Sequence, residues 1–345
     1  MQTRETSALR QALNRAAYSL ALRPLWAMGN ARQESTPILV SGSPRSGSTW
    51  LLEALERRFK ARRNWEPIDG IEQHLDGTMG QRRFGLRPYL APDMEDDELA
   101  PLLLDIVDGG APRQFRRAWN TKKSTAANLA NIARANRTIV KFTEAQRALP
   151  FIAARRDNPV IVILRNPLAV TASALSFAGE RDFDNALEEV DVPPTRTLPP
   201  RLLADFPDLE AFARPRMTKA QYIALATVID MLVPLRDARC RERCLFVSYE
   251  TLRENPARMA ELYAYCGDPS GLDETDIAAM AEPSARARAQ TSLEKDKLPW
   301  ADRMLPQEVE QALEIMKGLG IDWYSDTPGI NAVHLERFEL AQAVI

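Results

Sequence analysis

Within the seven residues Pro44-Arg45-Ser46-Gly47-Ser48-Thr49-Trp50 stand one permanent cation, three hydroxyls and a glycine. Such a set suits an anion. Glycine lets the backbone pass close to a ligand, hydroxyls donate hydrogen bonds, and a planar guanidinium adds charge-assisted contacts of about 1.5 to 3 kcal/mol each. The segment follows the apolar run Pro37-Ile38-Leu39-Val40 and precedes helical spacing from Thr49 to Arg63. Strand, turn and helix in that order form a phosphate cradle, because the free N–H groups of the first helical turn point at the ligand.

Gly42 and Gly47 keep the glycine spacing of the nucleoside-triphosphatase loop, but Ser48 occupies the place of its lysine. Without that clamp, and with no acidic strand end placed for magnesium, ATP hydrolysis is disfavoured. A second anion contact is available after the run Pro159–Leu164, where Arg165 emerges at a strand end. Pro167 suits the first turn of a helix, and a folded-back junction would bring Arg165 and Ser173 onto one anion. Read alone, Arg165 would pair equally well with a surface carboxylate.

The elements that must position these groups follow from pattern. Four short apolar runs, at 37–40, 137–142, 159–164 and 244–249, alternate with helix-compatible segments. This indicates an α/β fold with a P-loop-like central parallel sheet flanked by helices, its ligands gathered at the strand C-termini. Residues 1–33 read as a helical arm with Leu9, Leu13, Ala16, Ala17 and Leu20 on one face, docked on the protein or lying on a membrane surface. Residues 34–330 read as one domain with insertions at 76–136 and 179–216, followed by a tail at 331–345. The first insertion carries a basic patch of Arg113, Arg116, Arg117, Lys122 and Lys123. In the second, the proline-rich VDVPPTRTLPPR is too punctuated for regular structure.

Composition narrows the chemistry. The 345 residues are 45% hydrophobic, enough for a substantial core, and 45 Lys plus Arg against 47 Asp plus Glu leave a formal charge of -2, without general attraction to nucleic acid. Three cysteines form no disulfide framework or zinc pattern, and two histidines leave serine-hydrolase and zinc-hydrolase mechanisms short of their usual base or ligand. Carboxylates, lysine and arginine are left to act, with no metal. No apolar run approaches the roughly 20 residues of a membrane span, and the N-terminal residues lack the apolar core of a signal peptide, so a cytoplasmic location is expected.

The run Pro44–Trp50 resembles the 5′-phosphosulfate loop of sulfotransferases that use 3′-phosphoadenylyl sulfate (PAPS), in the arginine-bearing form of many Golgi and bacterial members. The resemblance implies that Arg45, Ser46, Gly47, Ser48 and Thr49 bind the 5′-phosphosulfate and that Trp50 stacks on adenine. Arg165 and Ser173 match the family's 3′-phosphate signature, which distinguishes PAPS from ATP. Tyr249-Glu250-Thr251-Leu252 resembles a segment whose tyrosine approaches the nucleotide. The region from Trp300 to Tyr324 is similar to the C-terminal helix of protein-tyrosine and carbohydrate sulfotransferases. Where those place a nucleotide-contacting lysine this chain has Pro299, so Lys297 or Lys295 is the substitute.

Sulfuryl transfer needs a base for the acceptor and cations for the charge spread over the sulfuryl oxygens. Glu66, in a Glu-Pro about 20 residues past the loop as in many carbohydrate sulfotransferases, is the chosen base, and Pro67 favours an extended backbone there. Glu144, Glu72 and His74 are the alternatives. Lys141, near the end of the second apolar run, is placed for the bridging oxygen or the sulfuryl group. The expected reaction is direct in-line transfer to a hydroxyl or amine of a sugar, lipid or small metabolite. A nucleotide kinase and a non-catalytic nucleotide-binding protein are the competing readings.

Overall fold

The computed structural model describes residues 18–68, 87–95, 99–112, 115–143, 145–176, 189–191, 198–281 and 303–324. Five strands, β1 (Ile38–Ser41), β2 (Arg62–Trp65), β3 (Thr138–Phe142), β4 (Val160–Leu164) and β7 (Cys244–Ser248), pair in parallel in the order β2-β3-β1-β4-β7. Two short strands, β5 (Glu189–Asp191) and β6 (Arg216–Thr218), form a separate antiparallel pair. Successive strand residues point to opposite faces, and both faces are buried. Leu39, Val140, Phe142, Val160, Val162, Leu164 and Phe246 enter one core; Ile38, Val40, Ile139, Ile161, Ile163 and Val247 enter the other. This explains why these strands read as unbroken apolar runs.

The helices used below are α1 (Arg23–Asn30), α2 (Ser48–Arg58), α3 (Thr125–Arg134), α4 (Pro167–Leu175), α5 (Lys219–Arg236), α6 (Tyr249–Glu254), α7 (Pro256–Tyr265) and α8 (Pro306–Gly318). On the first face α5 packs with α4 and α8, while Leu51, Leu52 and Leu55 of α2 join Met259 and Leu262 of α7 on the second. Pro167 does stand in the first turn of α4, capped by Asn166, whose side chain accepts from Leu168 N–H at 2.9 Å. Among the described residues no helix is long and apolar enough to cross a membrane.

Three expectations change. Helical spacing extends from Thr49 to Arg63, yet α2 stops at Arg58. Lys60 adopts a left-handed φ of 46°, Lys60 N–H donates to Arg57 O at 3.3 Å, and Ala61 N–H donates to Glu56 O at 3.1 Å. That pair of hydrogen bonds closes a Schellman-type end and turns the chain back into β2. The second change concerns the arm, of which residues 1–17 lie outside the described part. Leu20, expected on its apolar face, is 80% exposed, and the buried anchors are Leu22 and Trp26, packed with Ile132 of α3. Third, both ends of the proline-rich insertion take regular structure: β5 begins at Glu189, and a helix runs over Pro200–Asp205.

Arg62 fastens the arm to the sheet edge. Its guanidinium donates to Trp26 O at 2.7 Å and Ile132 O at 3.2 Å, contacts Asn30 Oδ1, and lies 3.9 Å from the Trp26 ring centroid. Carbonyls from α1 and from the last turns of α3 therefore meet one cation, which the dipole of α3 favours. Burial lowers the Arg62 pKa to about 9. Cys240, Cys244 and Cys266 are all buried free thiols.

Candidate active site

β1 ends at Ser41, and the loop Gly42–Gly47 delivers the chain into α2. Arg45 and Gly47 both have left-handed backbone, with φ of 72° and 92°, so the loop curls around Ser46. Packing fixes it from two sides. A Cβ on Gly42 would lie 2.3 Å from Ile163 Cγ2, and one on Gly47 would lie 2.2 Å from Tyr249 Cδ2. Ser46 Oγ is buried without a hydrogen-bond partner. A buried hydroxyl left unpaired inside a loop at a helix N-terminus fits an oxyanion ligand, which would satisfy it.

On the β4 and β7 side, Arg45 links the two residues of the expected second anion site. Arg45 Nε donates to Ser173 Oγ at 2.9 Å, and Arg165 Nη1 donates to Arg45 O at 2.7 Å. Arg165 Cζ lies 4.5 Å from the Tyr249 ring centroid, and Arg165 Nε is buried without a hydrogen-bond partner. Tyr249 opens α6 and packs edge-on against Trp50, with centroids 5.9 Å apart. Glu250, unassigned in the sequence, staples this corner. Its carboxylate accepts from Asn166 N–H at 3.2 Å, Ser248 O–H at 3.1 Å and Tyr324 O–H at 3.5 Å. Burial pushes the Tyr324 hydroxyl well above its ordinary pKa, so it serves as a neutral donor.

Across the loop, β2 and β3 bring together Glu66, the expected base, and Lys141. Trp65 of β2 faces Lys141 of β3 in register, and Glu66 N–H donates to Lys141 O at 2.8 Å. Lys141 Nζ donates to Glu66 Oε1 at 2.8 Å, and Arg117 Nη1 approaches Glu66 Oε2 at 3.4 Å. Both cations also flank the Trp65 ring, at 5.6 Å for Lys141 Nζ and 5.2 Å for Arg117 Cζ. The side chain of Lys141 is 1% exposed and that of Glu66 15%. Glu66 is not extended as expected: its φ is 48°. The ladder bond to Lys141 and the two cations hold it there against the preference that Pro67 imposes.

Beneath the loop lies a buried ionic cluster. Asp230, in the middle of apolar α5, accepts from Arg147 Nε at 2.8 Å and Ser43 O–H at 3.4 Å, and pairs with Arg87. Burial and the neighbouring Arg87 drive the Arg147 pKa well below its usual value. The cluster ties the loop to the α5 face of the sheet, and breaking such a pair on one side costs about 3 to 5 kcal/mol.

The other expected residues fall differently. Trp50 is 5% exposed and belongs to the second core, its Nε1 buried without a hydrogen-bond partner, so the ring packs as a wall behind the loop. Lys297, Lys295, Glu144, Glu72 and His74 lie outside the described residues. The basic patch is not one surface: Arg117 turns inward to Glu66, while Lys122 pairs with Glu53 at 2.8 Å. Arg117 and Asp230 were missed as site residues. Asp230 carried a signal, a lone acid within Ala224–Val233, and Arg117 was hidden among neighbouring cations.

A parallel α/β sheet with a glycine-bearing loop at β1, a further arginine at β4 and a carboxylate–lysine pair at β2 and β3 is an arrangement suited to group transfer from an anionic nucleotide. The chain matches the model of the sulfotransferase domain over residues 35–339 and belongs to that family. The resemblance carried by Pro44–Trp50 is thus membership, and the enzyme is a sulfotransferase. Among solved structures it is similar to a crystal structure of mouse sulfotransferase SULT7A1 complexed with PAP. Identity there is 13%, covering 88% of this chain and 92% of that one, with a TM-score of 0.37. No curated protein matches the chain.

Proposed function

We propose that this enzyme transfers the sulfuryl group of PAPS to a hydroxyl or amine of a sugar, lipid or other small metabolite, with Glu66 as the base. The strand order carries this reading. β1 and its loop lie between β3 and β4, so Glu66 and Lys141 stand on one side of the cradle and Arg165, Ser173 and Tyr249 on the other. The chain winds outward from β1 to β2 one way and from β4 to β7 the other, which sets the reversal of strand order between β1 and β4, where such sheets bind nucleotides.

Residues 45–49 would hold the 5′-phosphosulfate, and Arg165 with Ser173 the 3′-phosphate. Ser46 Oγ and Arg165 Nε, both buried and unpaired, fit those two anions. When bound, PAPS supplies the sulfuryl group on a phosphate leaving group. Glu66 takes the acceptor proton, and the cations beside it favour the carboxylate form that a base must have. Lys141 exchanges Glu66 Oε1 for the sulfuryl group or the bridging oxygen, where its charge offsets the negative charge that develops. Residues 34–330 act as one catalytic unit, with the arm braced on β2 through Arg62.

Glu66→Ala separates binding from transfer. With radiolabelled PAPS and a panel of sugar, phenol and amine acceptors, transfer should fall by about 10²- to 10⁴-fold. Thermal stabilisation by adenosine 3′,5′-bisphosphate should persist. Retained transfer would move the base to Glu144, Glu72 or His74.

A further inference from the structure

We infer that Arg117 is a positioning residue for the Glu66 carboxylate, anchoring it while Lys141 serves the donor; this rests on Glu66 as base. Each carboxylate oxygen faces a different cation, Oε1 the Lys141 ammonium and Oε2 the Arg117 guanidinium. The two cations reach Glu66 from different elements. Lys141 sits on β3, directly beside β1 and its phosphate loop. Arg117 comes from the turn Phe115–Ala118, which packs on β2, the sheet edge beyond β3. A carboxylate held by the lysine alone would lose its partner when that lysine turns to the donor. The arginine contact lies on the far side and need not change.

The anchor rests on a firm base. Asn120 N–H donates to Asn128 Oδ1 at 2.8 Å, Asn128 Nδ2 donates back to Asn120 O at 3.0 Å, and Asn120 Nδ2 donates to Glu56 Oε2 at 3.3 Å. Glu56 in turn pairs with Arg63 of β2, on the same strand face as Glu66's own neighbour Trp65. The turn is therefore tied to α2, α3 and β2 together, and the Arg117 side chain is 4% exposed. Its planar fork and its place over the Trp65 ring both restrict where the charge can go. That is the restraint a base needs to meet an acceptor at hydrogen-bond distance.

The test reads the carboxylate itself and needs no acceptor. Protein labelled with ¹³C at the glutamate carboxyls is titrated by NMR, with the Glu66 resonance assigned by its disappearance in Glu66→Gln. Arg117→Met should raise the proton affinity of Glu66 about tenfold, because one of the two cations that face it among the described residues, Lys141 and Arg117, is gone. Arg117→Lys should keep the wild-type midpoint to within about twofold, and Arg117→Gln stands in if the methionine variant does not fold. A midpoint unmoved by the neutral substitution overturns the inference, as does an equal shift in Arg117→Lys. If Glu66→Ala retains transfer, the base assignment has failed, whereas an unmoved midpoint with an inactive Glu66→Ala fails only the Arg117 role.

Discussion

Arg165 holds three relations at once: it donates to the Arg45 carbonyl, lies over Tyr249 and keeps a buried Nε without a partner. A 3′-phosphate would fill that last place with a charge-assisted bond of about 1.5 to 3 kcal/mol. Arg165→Ala should therefore weaken adenosine 3′,5′-bisphosphate by about 10- to 100-fold in calorimetric titration and barely alter AMP; an equal loss for both would remove the arginine from the 3′ site. At this scale the sequence was readable where residue types are rare together. Arg45, Ser46, Arg165 and Ser173 stood out because few folds need a cation and hydroxyls at a strand end. Arg117 did not, because one arginine among several shows nothing of which way it will turn. Only the packing of its turn on β2 decides that.

At the level of elements, the phosphate loop is held by what packs against its glycines. Gly47 has φ of 92° and no room for a Cβ beside Tyr249. Gly47→Ala should cost about 1 kcal/mol for the left-handed backbone, and more for displacing Tyr249. Thermal unfolding should fall by several degrees and bisphosphate binding should weaken with it; unchanged values for both would show that the loop is not braced there. β1, β3, β4 and β7 were legible because both of their faces are buried and their side chains are apolar. β2 was not, since Arg62-Arg63-Asn64-Trp65 has no strand signature. It is stable as a strand because Arg62 finds helix carbonyls, Arg63 finds Glu56 and Asn64 Nδ2 finds Gly110 O at 3.2 Å. The carbonyl partners of Arg62 are 36 and 70 residues away in sequence and that of Asn64 is 46, outside any local window, while Glu56, 7 residues before Arg63, lies in the preceding helix. The end of α2 at Lys60 was concealed for a related reason: a lysine in left-handed backbone carries no glycine to mark the stop.

Across the whole molecule, the sheet order turns dispersed residues into one line. Arg117, Glu66 and Lys141 lie at β2 and β3, the cradle at β1, and Arg165, Tyr249 and Glu250 at β4 and β7. Arg62 ties the arm to one end of this line, and Asp230 anchors the loop from the α5 side. A nucleotide with two separated anions is the ligand proposed for this line. The direct measurement is thermal stabilisation by adenosine 3′,5′-bisphosphate beside AMP and ATP at equal concentration, since a ligand that binds only the folded state stabilises in proportion to the logarithm of its affinity. The bisphosphate should raise the unfolding temperature clearly more than either; an equal rise with AMP would contradict the two-anion site.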